Sequence, residues 1–247
     1  MRAMILAAGE GRRLRPLTAT LPKALVEVGG RTLVEYALET VTRSGIDDVI
    51  VNLHHHGEQI RAHLGDGRRF GARIRYSEET TLLGSGGGIV HARGLLGDGP
   101  FVTLNADTIV DVDLRAVVAF HERKRAVATL VLRKDPRMAE YGVIQTLAGG
   151  LVGRFLEHTR PNAVGPMEAF MYTGVQVLDP SIFRYMPAQG AFSITEVTYP
   201  RMLAADEPVF GYPFEGTWVT VGTPAELENA RRVLPARLDS RKLPGLS

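Results

Sequence analysis

The sequence contains no cysteine among its 247 residues. Disulfides, thiolate metal ligands and a cysteine nucleophile are therefore excluded. The absence of disulfides fits a reducing compartment, so we expect a cytoplasmic enzyme. No apolar run is long enough to span a bilayer, and the N-terminus lacks an apolar segment followed by a cleavage site. We therefore expect no association with a membrane.

Neither sign of charge predominates, because 29 lysines and arginines stand against 27 aspartates and glutamates and leave a formal net charge of +2. No run of lysine and arginine forms the concentrated basic patch of a nucleic-acid-binding protein, so we expect no nucleic-acid partner. The hydrolase motifs HExxH and GxSxG are missing as well. Three histidines stand in a row at 54–56. Neighbouring strand residues point to opposite faces, so we interpret these histidines as a surface strand end rather than a metal site.

Strand-like and helix-like segments alternate through residues 1–135. Apolar runs at 3–8, 48–53, 73–77, 100–104 and 127–133 are separated by helical patterns at 32–44, 58–64, 87–95 and 114–124. This alternation predicts an α/β protein with a mostly parallel sheet flanked by helices. Such sheets bind ligands at the carboxyl ends of their strands. The segments after the first and fourth strands are therefore candidate binding loops.

Residues 136–236 change character. Strands that mix polar and apolar residues are predicted at 141–146, 151–157, 169–178, 209–212 and 217–221, with helices at 180–185 and 224–234. We interpret this half as a smaller lobe that covers the site within one domain, 1–236. Residues 237–247 are predicted to be a polar tail.

The most informative segment is residues 6–23, which read LAAGEGRRLRPLTATLPK. Leu6, Ala7 and Ala8 end an apolar strand, and Gly9 and Gly11 leave backbone N–H groups open to phosphate oxygens. Four cations follow, at Arg12, Arg13, Arg15 and Lys23. The segment is neither the dinucleotide fingerprint, since Leu14 replaces its third glycine, nor a P-loop, since it lacks GK[ST]. It predicts a site for the phosphates of a nucleoside triphosphate.

This string resembles the opening signature of the sugar-nucleotide pyrophosphorylases, nucleotidyltransferases that join a nucleoside triphosphate to a sugar 1-phosphate. The resemblance extends to about residue 234 and implies a Rossmann-like fold. The pattern is most similar to mannose-1-phosphate guanylyltransferases and N-acetylmuramate-1-phosphate uridylyltransferases, which implies GTP or UTP as the nucleotide. It also implies that Arg13 holds the triphosphate and that Lys23 neutralises the α-phosphate. We expect both side chains to face solvent.

A metal site is implied after the strand at 100–104, where Asn105 and Asp107 stand. Asp107 has the alternative of capping the next helix. The resemblance implies instead that Asp107 binds Mg²⁺, which takes one or two carboxylates together with phosphate oxygens and water. The family's second metal ligand belongs to a motif WxDxGT, which reads WVTVGT here, so Thr220 replaces the acid. Asp111, Asp113, or phosphate oxygens and water are the candidates to complete the coordination.

Two further segments resemble the family's base and sugar sites. Residues 79–89 read ETTLLGSGGGI, and the resemblance implies that Glu79 accepts from a base N–H while glycines, Gly84 and Gly87 among them, let the backbone approach base and ribose. On the sugar side, EHTRP at 157–161 replaces the family's EKP, so His158 stands where lysine is usual and Arg160 is a candidate to supply the missing charge. The resemblance implies these sugar-binding residues: Tyr141, Gly142, Glu157, Thr173 and Gly174.

Two alternatives to this enzyme remain open from the sequence. Thr220 is compatible with a non-catalytic paralogue that binds a sugar nucleotide and regulates an active relative. A cytidylyltransferase acting on a phosphorylated alcohol or cyclitol is the second. Release of pyrophosphate separates the first alternative from an active enzyme, and the choice of nucleotide separates the second.

Overall fold

The structure is a computed structural model that describes residues 1–238, with side chains through residue 234, so residues 239–247 of the predicted tail lie outside the described residues. Its strands are β1 (Arg2–Leu6), β2 (Glu27–Val28), β3 (Arg31–Thr32), β4 (Asp48–Leu53), β5 (Arg73–Glu78), β6 (Phe101–Asn105), β7 (Thr108–Val110), β8 (Ala128–Arg133), β9 (Val143–Thr146), β10 (Val152–Phe155), β11 (His158–Thr159), β12 (Glu168–Leu178), β13 (Val209–Pro213) and β14 (Trp218–Thr220). Its α-helices are α1 (Leu33–Arg43), α2 (Gly57–Leu64), α3 (Gly84–His91), α4 (Arg93–Leu96), α5 (Leu114–Lys124), α6 (Met138–Tyr141), α7 (Tyr199–Ala204) and α8 (Pro224–Leu238).

One mixed sheet runs through both halves of the chain. Its strand order is β11-β10-β9-β12-β6-β1-β4-β5, with β8 paired to β12 and β13 paired to β8. Strands β5, β4, β1 and β6 are parallel, while β12 returns antiparallel beside β6. The predicted α/β class with a parallel central sheet is confirmed. The second half extends this sheet, because β12 supplies the antiparallel strand on which β8 and β9 build.

The register of the parallel strands sets the position of the loops. Leu6 pairs with Asn105 and with Asn52, so β1, β4 and β6 end together at one edge. Beyond β6, Ala106 N donates to the Leu6 carbonyl oxygen at 3.0 Å. The loops after β1 and β6 therefore leave the sheet side by side, as the carboxyl ends of parallel strands do.

Alternating side chains of β1 pack into two different cores. Ala3 and Ile5 face the cluster that includes α1 and α2, whereas Met4 faces the cluster that includes Ile89 and Tyr199. This alternation is the period of a strand covered on both faces. A third cluster joins Leu227 and Leu234 of α8 to residues of the segment that follows β1. The C-terminal helix therefore packs against the predicted phosphate loop.

Local signals account for the helix that follows this loop. Thr32 begins α1 through a capping box, in which its backbone N–H donates to Glu35 at 2.8 Å, the pattern expected of Thr-x-x-Glu. Gly45, with φ of +79°, follows the end of α1. The predicted helix at 87–95 is wrong in its bounds, because α3 begins at Gly84 and α4 follows a break at Ala92. Within residues 1–238, no helix combines the length and apolar character needed to cross a bilayer.

Candidate functional site

Two cavities open at the carboxyl ends of the parallel strands and share Asn105 and Asp107. The smaller encloses about 310 Å³ and is lined by Leu6, Ala7, Ala8, Gly9, Lys23, Ala24, Asn52, Leu82, Gly84, Ser85, Asn105, Ala106 and Asp107. The larger encloses about 670 Å³ and is lined by Arg13, Asn105, Asp107, Thr108, Arg137, Glu140, Tyr141, Tyr172, Thr173, Gly174, Trp218, Thr220, Thr223, Ala225 and Glu226. We call them the first and the second cavity. Most of the residues predicted for nucleotide binding line the first cavity.

An ion pair stands where the two cavities meet. Lys23 Nζ lies 2.5 Å from Asp107 Oδ2, and the lysine side chain is only 12% exposed while the carboxylate is 33% exposed. The expectation that Lys23 faces solvent is therefore wrong, because the segment around residue 23 folds back against Asp107. This pairing places a cation that lines the first cavity against an anion that lines both cavities.

Glycine has two different purposes in the loop after β1. Gly11 adopts φ of +63°, and a Cβ there would lie 3.0 Å from both Lys23 Cβ and Thr18 Cγ2. The Thr18 hydroxyl also donates to the Gly11 carbonyl oxygen at 2.8 Å. Gly9, by contrast, has no atom within 4 Å of its Cβ position and lines the first cavity. Gly11 is required for the turn itself, and Gly9 leaves open space for a ligand.

Two of the three consecutive histidines, His55 and His56, contact this loop from the end of the neighbouring strand. His55 Nε2 lies 3.1 Å from the Thr18 carbonyl oxygen, and His56 Nε2 lies 3.0 Å from that of Ala19. Gln59 Nε2 donates to the Thr20 carbonyl oxygen at 3.0 Å. Sequence reasoning placed the histidines just after β4 but missed these contacts, which depend on how far the loop folds across the sheet edge.

The four predicted cations separate in the structure. Lys23 lines the first cavity and Arg13 lines the second. Arg12 instead donates to Glu10, and this hydrogen bond lowers the pKa of the Glu10 carboxyl. Arg15 lines neither cavity. Only two of the four cations therefore face the space available to a ligand.

Buried hydrogen bonds connect the phosphate loop to the predicted base loop. Asn52 Oδ1 accepts from Ala7 N at 2.7 Å, and Asn52 Nδ2 donates to Glu79 Oε1 at 2.7 Å. Glu79 Oε2 accepts from Leu83 N at 3.0 Å. The expectation that Glu79 accepts from a base is wrong for this geometry, because the carboxylate is 5% exposed and both of its oxygens are engaged. Sequence reasoning missed Asn52, although its place at the end of β4 is a usable signal.

The glycines of the base loop mostly pack against protein. A Cβ at Gly86 would lie 2.1 Å from Phe192 Cε2, and one at Gly87 would lie 2.4 Å from the Gly190 carbonyl oxygen. The expectation that Gly87 approaches a base is therefore corrected, since residues 190–192 cover it. Gly84 lines the first cavity. Its φ is +71°, and a Cβ there would lie 2.7 Å from the Phe192 carbonyl oxygen, so no side chain fits at this position.

Tyr141 lies in the wall of the second cavity. Its hydroxyl donates to Glu226 Oε1 at 2.9 Å, and its ring meets that of Trp218 edge to face at 5.3 Å. Burial and the hydrogen bond to Glu226 raise the pKa of Tyr141 to about 12, so the phenol stays neutral at physiological pH. Glu226 Oε2 also accepts from Gly222 N at 2.7 Å. Glu226, which sequence reasoning missed, thus joins the segment after β14 to α6.

Thr173 and Gly174 contribute backbone to the same wall. The Thr173 hydroxyl donates to the Val131 carbonyl oxygen at 2.8 Å, and its own carbonyl oxygen accepts from Trp218 Nε1 at 2.9 Å. A Cβ at Gly174 would lie 2.7 Å from Asn105 Nδ2. Gly174 therefore allows Asn105 to sit between the two cavities.

A family model for nucleotidyl transferases matches residues 2–236 of this chain. The chain belongs to the nucleotidyl transferase family. It is 35% identical over 232 residues to an N-acetylmuramate alpha-1-phosphate uridylyltransferase of Caulobacter vibrioides, covering 90% of this chain and 92% of that protein. It is 30% identical over 260 residues to a UTP–glucose-1-phosphate uridylyltransferase of Synechocystis, covering 100% of this chain and 66% of that protein. A mannose-1-phosphate guanyltransferase of Yarrowia lipolytica is 33% identical over 230 residues, covering 92% of this chain and 62% of that protein.

The chain thus spans slightly less than two thirds of the length of two of these relatives, the Synechocystis and Yarrowia lipolytica proteins.

Solved structures agree on the fold. A UDP-glucose pyrophosphorylase superposes with a TM-score of 0.76 at 19% identity, covering 96% of this chain and 98% of that one. HddC from Yersinia pseudotuberculosis superposes with a TM-score of 0.78 at 19% identity, covering 94% of this chain and 98% of that one.

The metal-binding expectation of this family member depends on Asp107 and Thr220. Thr220 on β14 pairs with Thr108 on β7, and Val221 N donates to the Asp107 carbonyl oxygen at 3.0 Å. Thr220 therefore lies next to Asp107 and lines the second cavity, as the resemblance implies. In the part of the chain that the structure describes, no three histidine, aspartate or glutamate side chains are grouped as metal ligands.

Asp111 and Asp113 do not replace the missing acid. Asp111 Oδ1 accepts from Arg43 at 3.0 Å, and Asp113 caps α5 by accepting from Arg115 N at 3.0 Å. Neither aspartate lines a cavity of the site. The two expectations are corrected, because β7 carries the chain away from Asp107 before either residue is reached.

Three of the residues predicted on the sugar side lie outside the lining of the second cavity. Gly142 packs against Leu156, whose Cδ2 lies 2.4 Å from the Cβ position, and it lines neither cavity. The Glu157 side chain is 76% exposed and contacts His158 at 3.4 Å. Arg160 is 4% exposed and donates to Asp206 at 2.6 Å. The hairpin of β10 and β11 therefore brings neither its carboxylate nor its arginine to the site.

Proposed function

We propose that this chain transfers a nucleoside monophosphate from a nucleoside triphosphate to a sugar 1-phosphate and releases pyrophosphate. The observation that carries the proposal is the Lys23–Asp107 pair at the junction of two cavities. Two substrates that react with each other need adjoining sites with charged groups at the point of contact. Family membership supports the same reaction.

The proposed reaction is a single in-line displacement. An oxygen of the sugar phosphate attacks the α-phosphorus, the bond from that phosphorus to the bridging oxygen of the β-phosphate breaks, and pyrophosphate leaves. No protein nucleophile takes part. Catalysis then consists of positioning the two phosphates and neutralising their charge.

Named residues supply these two functions. In the first cavity, Gly9 and the adjoining backbone contact the nucleotide, and Lys23 neutralises the α-phosphate. Arg13 projects toward the second cavity, where its guanidinium nitrogen lies 2.8 Å from the Cβ position of Gly222. Arg13 binds the triphosphate and the departing pyrophosphate, for which the bidentate geometry of arginine is suited.

A magnesium ion fits the donors at the junction. Asp107 offers one partly exposed carboxylate, and the Thr220 hydroxyl lies on the adjacent strand. Mg²⁺ takes one or two carboxylates and obtains its other oxygens from substrate phosphates and water. When bound, the ion would polarise the phosphate oxygens as a Lewis acid. Asp107 and Thr220 are the residues that would hold it.

The substrates we propose are GTP or UTP and a sugar 1-phosphate, on the names of the relatives and on the sequence pattern. The test is a screen of pyrophosphate release with four nucleoside triphosphates against a panel of sugar 1-phosphates. We expect release with one guanine or uracil nucleotide and at least one sugar 1-phosphate. Release that needs CTP and a phosphorylated alcohol would favour a cytidylyltransferase instead.

A second candidate function rests on Thr220. Without the second acid, the chain is compatible with a protein that binds a sugar nucleotide and does not catalyse the transfer. Calorimetric binding of the nucleotide sugar without pyrophosphate release from any pair would support this candidate. Release from any pair would exclude it.

A further inference from the structure

We propose that Arg137 is the cation that binds the phosphate of the sugar 1-phosphate. The inference rests on the proposed transferase function and assigns one residue within it. The family pattern places a lysine in the segment EKP, where this sequence has His158. A doubly charged phosphate monoester still needs a cationic partner in the second cavity, so another residue has to supply one.

The hairpin that carries His158 does not supply the charge. His158 Nε2 lies 3.4 Å from the carboxylate of Glu157, and both side chains are outside the lining of the second cavity. Arg160, two residues later, is buried and donates to Asp206 and to the carbonyl oxygens of Val152 and Glu207. Its guanidinium is therefore committed to the protein interior.

Arg137 has the opposite surroundings. It precedes α6 and lines the second cavity together with Asp107 and Tyr141. Its guanidinium carbon lies 5.2 Å from the centre of the Tyr141 ring, and Nε lies 3.5 Å from Asp135 Oδ1. Among the described side chains, we find no hydrogen bond donated by this guanidinium, although its backbone N–H donates to Asp135 at 3.0 Å. The guanidinium is positioned by the ring and retains donors for a ligand.

The charge balance around Asp135 leaves a positive excess. Asp135 lies 3.6 Å from Arg133 Nε as well as 3.5 Å from Arg137 Nε, so one carboxylate is shared by two arginines. Glu226, the acid nearest to Tyr141, accepts from that phenol and from Gly222 N. Glu140 also lines this cavity and is exposed. An arginine that is only partly neutralised and faces a cavity is suited to bidentate binding of phosphate.

Arg13 is the other cation that lines the second cavity in the described residues. It projects from the phosphate loop to the segment after β14, where it lies against Gly222. Arg137 lies instead next to Tyr141 in the wall of the second cavity. Two phosphate groups, the triphosphate and the sugar phosphate, thus have one arginine each.

The test compares four variants of the full chain with the parent enzyme on the substrate pair found in the screen. Arg137→Ala removes the cation, and Arg137→Met removes it but keeps the apolar contact with Tyr141. Arg137→Lys keeps the charge without the paired N–H donors of the guanidinium. Arg68→Ala removes an arginine that is 87% exposed and paired with Asp66, and serves as the matched control. KM for each substrate is measured with the other saturating, and melting temperature reports folding.

We expect Arg137→Ala and Arg137→Met to raise KM for the sugar 1-phosphate by at least about tenfold, because a charge-assisted bidentate contact is lost. KM for the nucleoside triphosphate should stay within about twofold, as should both constants of Arg68→Ala. Arg137→Lys should be intermediate. Inorganic phosphate, used as an inhibitor competing with the sugar 1-phosphate, should bind more weakly to the Met variant than to the parent.

Three results would overturn the inference. A Met variant with the parent's KM for the sugar 1-phosphate would show that the charge is not needed. An equal rise in both KM values would assign Arg137 to the triphosphate. A parent that releases no pyrophosphate with any pair would reject the proposed function and this inference with it, whereas an active parent with an indifferent variant rejects the inference alone.

Discussion

The two cavities of the site are built from different parts of the chain. The first is lined largely by small residues, which follow β1 and β6 or begin α3. The second is lined by long polar and aromatic side chains from α6, β12 and the segment around β14. Buried hydrogen bonds through Asn52 and Glu79 fix the first cavity, whereas the second depends on side chains such as Tyr141 and Glu226.

This difference explains where the chain departs from its family. The glycine and lysine signature is complete around the first cavity, whereas Thr220, which stands where the family pattern has an acid, lines the second cavity. A wall made of backbone changes little when a side chain changes. A wall made of side chains can change its charge through one substitution, so specificity can be altered there without refolding the site.

The largest expected effect is at Asp107, which belongs to both cavities. Asp107→Asn keeps the shape but removes the charge that pairs with Lys23 and suits a hard cation. We expect kcat/KM to fall on the order of 10³-fold. Steady-state pyrophosphate release measures this, and the exposed Asp98→Asn is the control for loss of a carboxylate. Near-parent turnover of the Asp107 variant, or turnover that survives EDTA, would contradict the proposed mechanism.

A smaller loss is expected for the two cations, one from each cavity. Lys23→Ala and Arg13→Ala should each lower kcat/KM by about 10²-fold, or about 2.7 kcal/mol of transition-state stabilisation. The variants should differ in stability. Lys23 is nearly buried, and its substitution would leave Asp107 without this partner, so Lys23→Ala should lower the melting temperature. Arg13 is exposed, so Arg13→Ala should leave the melting temperature unchanged. A variant with unchanged kcat/KM would remove that residue from the mechanism.

Glu79→Gln tests whether the first cavity is held by its buried hydrogen bonds. Both partners of the carboxylate, Asn52 Nδ2 and Leu83 N, are donors, so the amide nitrogen of glutamine would face one of them. We expect a loss of about 1–3 kcal/mol in the free energy of unfolding. KM for the nucleotide should rise while KM for the sugar 1-phosphate stays nearly unchanged.

The neighbouring Glu78→Gln is the matched control, because the Glu78 side chain is exposed and pairs with Arg61 on the surface. Urea unfolding and the two KM values are measured for both variants. If Glu79→Gln is as stable as the parent and binds the nucleotide equally well, the hydrogen bonds do not shape the cavity. If it raises both KM values equally, the first cavity is not the nucleotide side.

Patterns that depend on neighbouring residues could be predicted from the sequence. The strand Asp48–Leu53 and the helix Leu114–Lys124 follow from their own periodicity, and their predicted bounds match the structure. The meeting of the loop after β1 with Asn105 and Asp107 at one edge follows from parallel strands, whereas the return of Lys23 to this edge does not. Helical residues 194–204 were not predicted, because their apolar residues fit a core whose other members are distant in sequence.

Contacts between distant segments explain the errors in the site. Glu79 reads as a ligand because its partner Asn52 is 27 positions away. Arg160 reads as a free cation because Asp206 is 46 positions away. Gly87 reads as open because the covering residue, Gly190, belongs to a loop beyond β12. In each case the residue type was informative, and only the fold decided whether the ligand or the protein meets it.

The smallest expected effect is a gain at Thr220, where the second cavity departs from the family. Thr220→Asp would place a second carboxylate beside Asp107, across the β7–β14 ladder. We expect it to lower the Mg²⁺ concentration needed for half-maximal turnover and to raise kcat by roughly several-fold, since Mg²⁺ prefers carboxylate oxygens. Thr220→Asn has the same shape without the charge and should show no gain. Pyrophosphate release across a magnesium titration measures both variants.

An Asp variant no better than the parent at any magnesium concentration would show that position 220 is not a vacated metal site, since Asp111 and Asp113 are already engaged elsewhere. Equal gains in both variants would instead attribute the effect to shape.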